Sequence, residues 1–501
     1  MAATKLMAAG LMEAGSEDWL SLFFQEWPVT LRTAPERGRH IIAAKDLNAG
    51  ELVFESQPYS YVVADKYSAT HCHHCFKEAP PPSHHEVVCA TCGSAHYCSQ
   101  GCQHEARGMH AGECAVISQL KEMGQDRLVA ATRGLRMFIR LLYLRAAHPE
   151  SFRQVDALEA HWEGVAEGQR AQWRQMANGV NRFVPPGVRM DAEELAVVIS
   201  KVHTNLHGIS DVRGRALGPA LYPLASFFNH SCDPNCVVSF RGTQLCVRML
   251  VPVKAGEELC IAYTELYCSR AVRREELMRK KHFTCECPRC MAPDPPGTGG
   301  NLLSGWLCQE RGCNGVAGGD VGAGGEGPAP CPKCGAAVPR ALVAKLPGWQ
   351  MMYNQGLAAY QEGNLAQALM ILERVLEETH GALHEHHSMR FDATSAMVDA
   401  AHEAEKFDAC DDLAGKCIDM MEAHYPRFHP AIANMYSKRA DAVLNRANKK
   451  GRRTGADLLA RAKQHLQRAA VLLMVPYGRD HPAVQAHEEK LAFVDGLVKG
   501  K

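Results

Sequence analysis

The chain carries no net charge: 55 Lys and Arg residues are matched by 55 Asp and Glu over 501 residues. That balance excludes broad electrostatic attraction to nucleic acid or an anionic membrane and leaves only local patches to supply it. Long apolar runs are missing as well; none approaches the roughly 20 residues that cross a bilayer. The first 30 residues lack a basic segment followed by an apolar core and a small-residue cleavage site. Leu20–Phe24 is too short for such a core, and Glu13, Glu17 and Asp18 precede it. The disorder signature is absent too, since 46% of the residues are hydrophobic, enough to build proper cores. The expectation is a soluble monomer kept inside the cell, cytoplasmic and nuclear, without membrane or direct nucleic-acid partners. Its length suggests roughly three domains.

Cysteine is what the chain does have. There are 21, an odd number, mostly in short-spaced clusters. In a reducing compartment such clusters are better explained by metal than by disulfides. The first block reads Cys72-x2-Cys75-x13-Cys89-x2-Cys92-x5-Cys98-x3-Cys102-x7-His110-x3-Cys114. Eight thiolate and imidazole donors in paired spacings suit two tetrahedral zinc ions better than a set of buried free thiols. Cys285, Cys287 and Cys290 are three ligands in need of a fourth. Cys308-x4-Cys313-x17-Cys331-x2-Cys334 forms another tetrahedral set, like a zinc ribbon with the glycine-rich loop Gly315–Pro330 inside it. Cys236, Cys246, Cys260, Cys268, Cys410 and Cys417 are left over and read as small core residues.

Hydrophobic patterning divides the rest. Short strands are expected at Val29-Thr-Leu-Arg, His40-Ile-Ile-Ala and Glu51-Leu-Val-Phe. From about 115 to 208 the pattern turns helical, with Leu128, Leu135, Phe138, Ile139 and Leu142 at spacings near three and four. Strand signals return between Tyr222 and Tyr263, with a hairpin turning at Arg241-Gly-Thr. Beyond Trp349 the chain reads as helix throughout. Glu378-Thr-His-Gly, Ala423-His-Tyr-Pro-Arg-Phe-His-Pro and Val475-Pro-Tyr-Gly-Arg-Asp-His-Pro close successive helical pairs 45–52 residues apart. Pairs at such a period stack as a solenoid, because one pair cannot bury its own apolar face.

The most specific stretch is Ser226-Phe-Phe-Asn229-His230-Ser-Cys232-Asp-Pro-Asn-Cys236, followed by Gly256-Glu-Glu-Leu-Cys-Ile-Ala-Tyr263 and Phe283-Thr-Cys-Glu-Cys. Alone, an Asn-His pair is an ordinary polar turn. In this order the segments resemble a SET domain with its post-SET segment, and the Cys72–Cys114 block resembles a MYND finger. Together they are similar to the SET-and-MYND methyltransferases, the SMYD family. The fold class implied is α+β. It has a mostly β SET core with an inserted MYND finger and helical insertion, a post-SET zinc site and a C-terminal α-helical TPR-like solenoid.

The corresponding divisions are 28–71 for the N-terminal part of the SET core, 72–114 for the finger, 115–208 for the helical insertion and 209–270 for the catalytic core. The post-SET segment follows at 271–295, the ribbon-like insertion at 296–345 and the helical array at 346–501.

The resemblance implies interleaved finger sites: Cys72, Cys75, Cys98 and Cys102 on one zinc, Cys89, Cys92, His110 and Cys114 on the other. It makes Cys232 the fourth ligand beside Cys285, Cys287 and Cys290, and threads the Asn229-His230 segment past the chain near Tyr263, a rare exception to unknotted topology. It implies S-adenosylmethionine as cofactor, with contacts from Arg37, Arg39, Asn205, Ser226, Asn229, His230, Tyr263 and Phe283. Tyr263 is the expected catalytic phenol, and Tyr222, His207 and Lys281 are expected along the substrate channel.

The implied activity is transfer of a methyl group to a lysine of a histone or non-histone protein, with partners held by the finger and helical array. Free lysine has a pKa of about 10.4, so only about one in a thousand is neutral near pH 7; an apolar channel beside a sulfonium would lower it. The chain departs from the family at Arg107 (usually Trp), at His40 in the first loop (usually the second glycine of Gly-x-Gly), and at His207 and Lys281 (often aromatic). The loss of the second glycine at His40 and the Lys281 change are what an alternative, a catalytically weak MYND/TPR adaptor, rests on. A zinc hydrolase is excluded because every set has four protein ligands and no open position.

Overall fold

A computed structural model describes residues 18–80, 85–125, 127–129, 133–293, 302–319, 327–450 and 456–498. Glu13, Glu17 and part of the Gly315–Pro330 loop lie outside the described residues. The chain forms two compact units. The first comprises the residues up to Asn229, Val238–Cys260 and Lys280–His282; the second comprises His230–Val237, Ile261–Arg279 and the residues from Phe283 onward. Among the described residues no helix is long and apolar enough to cross a membrane.

Unit 1 opens with an antiparallel hairpin of Val29–Ala34 and Gly38–Ala43, in register from Val29 opposite Ala43 to Ala34 opposite Gly38. The turn needs a left-handed residue at its exit, and Gly38 supplies it with φ +61°. His40, which stands where a second glycine was expected, takes no such conformation. It lies in the strand opposite Arg32, is 7% exposed, and its Nδ1 sits 3.0 Å from the Gly38 carbonyl oxygen. Only one glycine is required, so His40 does not distort the loop.

The strand Gly38–Ala43 is extended by 253–259, where the Leu259 N–H donates to the Ile41 carbonyl at 2.8 Å. A three-stranded sheet of Cys236–Arg241, Gln244–Met249 and Leu52–Ser56 and another of Ser60–Tyr61, Ala216–Leu221 and Leu206–Ser210 complete the β part. Both faces of these strands are covered, since Val53 and Phe54 are buried side by side, as are Leu245 and Cys246.

Helices Arg107–Glu122, Arg136–Ala147, Pro149–Asp156, Glu167–Phe183 and Ala192–Asn205 cover one side of this unit. Their shared core includes Phe138, Ile139, Leu142, Trp173, Val180 and Ile199. The helical reading needs two corrections. Leu128 is 41% exposed rather than on the buried stripe. The last helix stops at Asn205, because Leu206–Ser210 pairs with Ala216–Leu221; sheet pairing overrides the local pattern there.

Unit 2 ends in seven described helices: Leu346–Gln361, Leu365–Glu378, Ser388–Glu403, Phe407–His424, Pro430–Lys450, Ala456–Tyr477 and Pro482–Val498. Each packs on its predecessor. Leu369, Leu372 and Val375 show the amphipathic logic, three buried residues at spacings of three on one helix. Gly381 and Gly478, at φ +73° and +79°, end helical turns inside the repeat segments read from the sequence. The helices Phe407–His424, Pro430–Lys450 and Ala456–Tyr477 share a buried anchor: Asp411, 1% exposed, accepts from Arg439 Nε at 2.8 Å and Arg461 Nη2 at 2.6 Å.

Candidate functional site

Four ligand sets are assembled: Cys72, Cys75, Cys98 and Cys102; Cys89, Cys92, His110 and Cys114; Cys232, Cys285, Cys287 and Cys290; Cys308, Cys313, Cys331 and Cys334. Within each, all four ligand atoms lie within 4.8 Å of one another. Sulfur–sulfur distances of 3.6 Å for Cys89–Cys114, 3.9 Å for Cys232–Cys285 and 3.8 Å for Cys313–Cys331 are far too long for a disulfide. They suit a tetrahedral zinc, whose bonds of about 2.3 Å place thiolates roughly 3.8 Å apart. The grouping is the one expected from the resemblance, including Cys232 as the fourth ligand.

The finger holds a feature that ligand spacing did not disclose. His110 Nδ1 donates to Glu113 Oε1 at 2.7 Å, which leaves Nε2, 3.5 Å from Cys92 Sγ, to face the metal set. Glu113 is 1% exposed and receives Arg136 Nε and Arg140 Nε at 2.9 Å each, with Arg140 Nη2 at 2.6 Å. Burial alone would raise its carboxyl, but Arg140 and Arg136 hold it well below the ordinary range. The available signal was Glu three residues after the ligand His, one helical turn on.

In unit 2, His230 is the pivot. Its Nδ1 accepts from the Tyr263 backbone N–H at 2.9 Å, so the ring proton is on Nε2, which donates to Cys232 Sγ at 3.2 Å. Both ring nitrogens are thereby committed, one to the backbone of Tyr263, just past the strand Cys260–Ile261, and one to a metal ligand. The Ser231 N–H donates to the Ile261 carbonyl at 3.0 Å, so this segment runs alongside Ile261–Tyr263. The rings of Tyr263 and Phe283 lie 5.3 and 6.1 Å from that of His230. Arg273, 1% exposed, donates Nε to Cys232 Sγ at 3.2 Å, a cation placed where the thiolate set is most negative.

In unit 1, the Asn229 amide nitrogen donates to the Arg37 carbonyl at 3.1 Å and to Glu258 Oε1 at 3.0 Å. The Asn205 amide nitrogen donates to the carbonyls of Glu159 and Lys201 at 3.0 and 2.8 Å. Each amide therefore has its donors spent, and its remaining polar atom is the Oδ1 acceptor. Arg37 pairs with Glu258 at 2.9 Å. The Arg39 guanidinium lies 5.0 Å from the Phe227 ring centre, and Ser226 Oγ donates to the Tyr222 carbonyl at 3.1 Å. Backbone anchoring, acceptor oxygens and guanidinium groups make a donor set that fits an amino acid terminus, with its ammonium and carboxylate.

The three expected channel residues differ in kind. Tyr222 is fully buried, and its hydroxyl donates to the Thr243 carbonyl, so it is a core residue with a satisfied tip. Lys281 Nζ donates to the Thr204 carbonyl, and burial pushes its amine down to about 8. His207 packs edge-on to Tyr222 at 5.6 Å, and burial, aided by the Lys281 charge, pushes it down to about 3.

Residues 38–264 match the family model of the SET domain. It is similar to the histone-lysine N-methyltransferase ASHR1 of Arabidopsis thaliana, 30% identical over 59% of this chain and 62% of that protein. It is also similar to the histone-lysine N-methyltransferase SMYD3 of Mus musculus, 30% identical over 52% of this chain and 61% of that protein. With the N-lysine methyltransferase SMYD2 of Homo sapiens it shares 29% identity over 52% of this chain and 60% of that protein. The chain thus spans about three-fifths of the length of these curated relatives.

Proposed function

We propose that the protein is a protein-lysine N-methyltransferase that uses S-adenosylmethionine, acting on a lysine of a histone or non-histone protein. The observation that carries this reading is the double commitment of the His230 ring, which ties His230 to the backbone of Tyr263 inside a SET-domain match. Arg37, Arg39, Asn205, Ser226 and Asn229 would hold the amino acid end of the cofactor, and Phe283 its adenine. His230 would contribute through its backbone, since both ring nitrogens are occupied.

When bound, that cofactor supplies a methyl group on a sulfonium, and the protein's own contribution is mainly alignment. Tyr263 would orient the incoming amine through its phenol oxygen. The amine must be neutral to attack, its proton passing to solvent, and apolar walls favour the neutral form. Lys281 and His207 would set the width and polarity of those walls. The four Cys/His sets would each hold structural zinc, which fits a reducing compartment because all 21 cysteines are free of disulfides; cytoplasm and nucleus both qualify. The C-terminal helices would form a TPR-like array that, with the finger, contacts protein partners.

Calorimetric titration of the zinc-replete protein with S-adenosylhomocysteine tests this. Micromolar binding that is lost in Asn229→Ala and kept in Tyr263→Phe is expected, with methyl transfer lost in both. Absence of binding by folded protein would overturn the reading in favour of a protein-contact adaptor, for which the charged Lys281 in place of an aromatic residue is the supporting observation.

A further inference from the structure

A MYND finger is expected to be a self-contained contact module that folds on its metals. The inner set of this finger is wired differently. Its ligand His110 donates to Glu113, and the Glu113 carboxylate is gripped by Arg136 and Arg140 on the neighbouring helix. Arg140 Nη1 continues the chain of contacts to the Tyr61 carbonyl on the strand Ser60–Tyr61, which pairs with Ala216–Leu221. All four side chains are 9% exposed or less.

The charges in this buried group do not balance by themselves. Two guanidiniums face one carboxylate, and an uncompensated buried charge is strongly unfavourable. A divalent zinc held by the three thiolates of Cys89, Cys92 and Cys114 and a neutral imidazole carries one negative charge. With Glu113 that makes two, matching Arg136 and Arg140.

We infer that the inner zinc of the finger is an electrostatic component of the SET unit, its thiolate cage being the counter-charge that lets Arg136 and Arg140 be buried. Loss of that ion therefore loosens the helix Arg136–Ala147 and the strand Ser60–Tyr61, whereas loss of the outer ion reaches that strand, through the 3.1 Å contact of the Tyr61 hydroxyl with His74 Nδ1, but not the helix. Arg136 is a positioning residue whose contribution changes sign with the metal. With zinc present it completes the balance; without zinc it is the surplus charge. This inference stands independently of the methyl-transfer reading.

The test is hydrogen–deuterium exchange on the full chain, with zinc counted in the same samples. In Cys114→Ser, one zinc short, exchange in Arg136–Ala147 and Ser60–Tyr61 should rise about tenfold or more, while Cys102→Ser should leave the helix Arg136–Ala147 unchanged. Adding Arg136→Met should speed exchange there in the zinc-loaded protein and slow it in the Cys114→Ser background. Should Cys114→Ser not fold, graded chelation of the wild type and of Arg136→Met gives the same comparison at matched zinc content. Exchange in those segments indifferent to the inner zinc, or Arg136→Met shifting it in the same direction in both states, would overturn the inference.

Discussion

At the scale of single residues, the most informative side chain is His230, because one imidazole joins a metal ligand to the backbone of Tyr263. Replacing it with Phe keeps the bulk but removes the hydrogen bond from the Tyr263 N–H and the one to Cys232 Sγ. Two part-buried hydrogen bonds at about 0.5–1.5 kcal/mol each are lost, so His230→Phe should weaken S-adenosylhomocysteine binding by about tenfold. Unchanged affinity by calorimetry would mean that the clamp does not shape the site.

Asp392, on the helix Ser388–Glu403, carries a second residue-level consequence. Its surface remains exposed, yet crowding by the surrounding protein, with the Glu265 carboxylate nearby, pushes its carboxyl up from the ordinary value near 3.8. A group that binds its proton more tightly when folded adds stability below its unfolded pKa and loses it as pH rises through the folded one. Asp392→Asn should therefore gain stability over the wild type at pH 8, the gain fading toward pH 4. Urea denaturation at the two pH values measures this.

At the scale of elements, the hairpin Val29–Gly38–Ala43 shows how one backbone angle outweighs a motif. Gly38 has no atom within 4 Å of where a Cβ would sit, yet its φ is +61°. Gly38→Ala should therefore cost about 1–2 kcal/mol from the left-handed conformation alone, read as a lowered urea midpoint. His40→Gly restores the family pattern but should not strengthen cofactor binding. It should instead destabilise by roughly 0.5–1 kcal/mol, since glycine weakens a strand interior. An affinity gain in His40→Gly would show that the loop, and not the strand, governs that position.

At the scale of the whole molecule, the metal sets form an unequal series. The inner finger set is entirely buried, whereas Cys334 of the ribbon set is exposed. The purified chain should hold four zinc ions by elemental analysis, and Cys334→Ser should hold three with the other sets intact. The ribbon zinc should also be the first withdrawn by a chelator, since access governs exchange of its ligands. Wild-type protein carrying three ions would remove the ribbon from the metal sites.

The sequence by itself determined which residues are metal ligands, the Asn229-His230 motif and the helical C-terminal region, whereas the interleaved finger grouping and Cys232 as a fourth ligand came with the resemblance. Those signals are local or depend on short spacings, and the chemistry of thiolates and imidazoles admits few alternatives. Where the helix ends at Asn205 was not legible, because sheet partners from Ala216–Leu221 decide it. Nor was the core placement of Tyr222, whose hydroxyl finds the Thr243 carbonyl only in the folded chain. The tautomer of His230 and the burial of Arg136 and Arg140 around Glu113 belong to the same class. Each depends on which polar groups, distant in sequence, meet once water is excluded, and only tertiary structure brings those groups together.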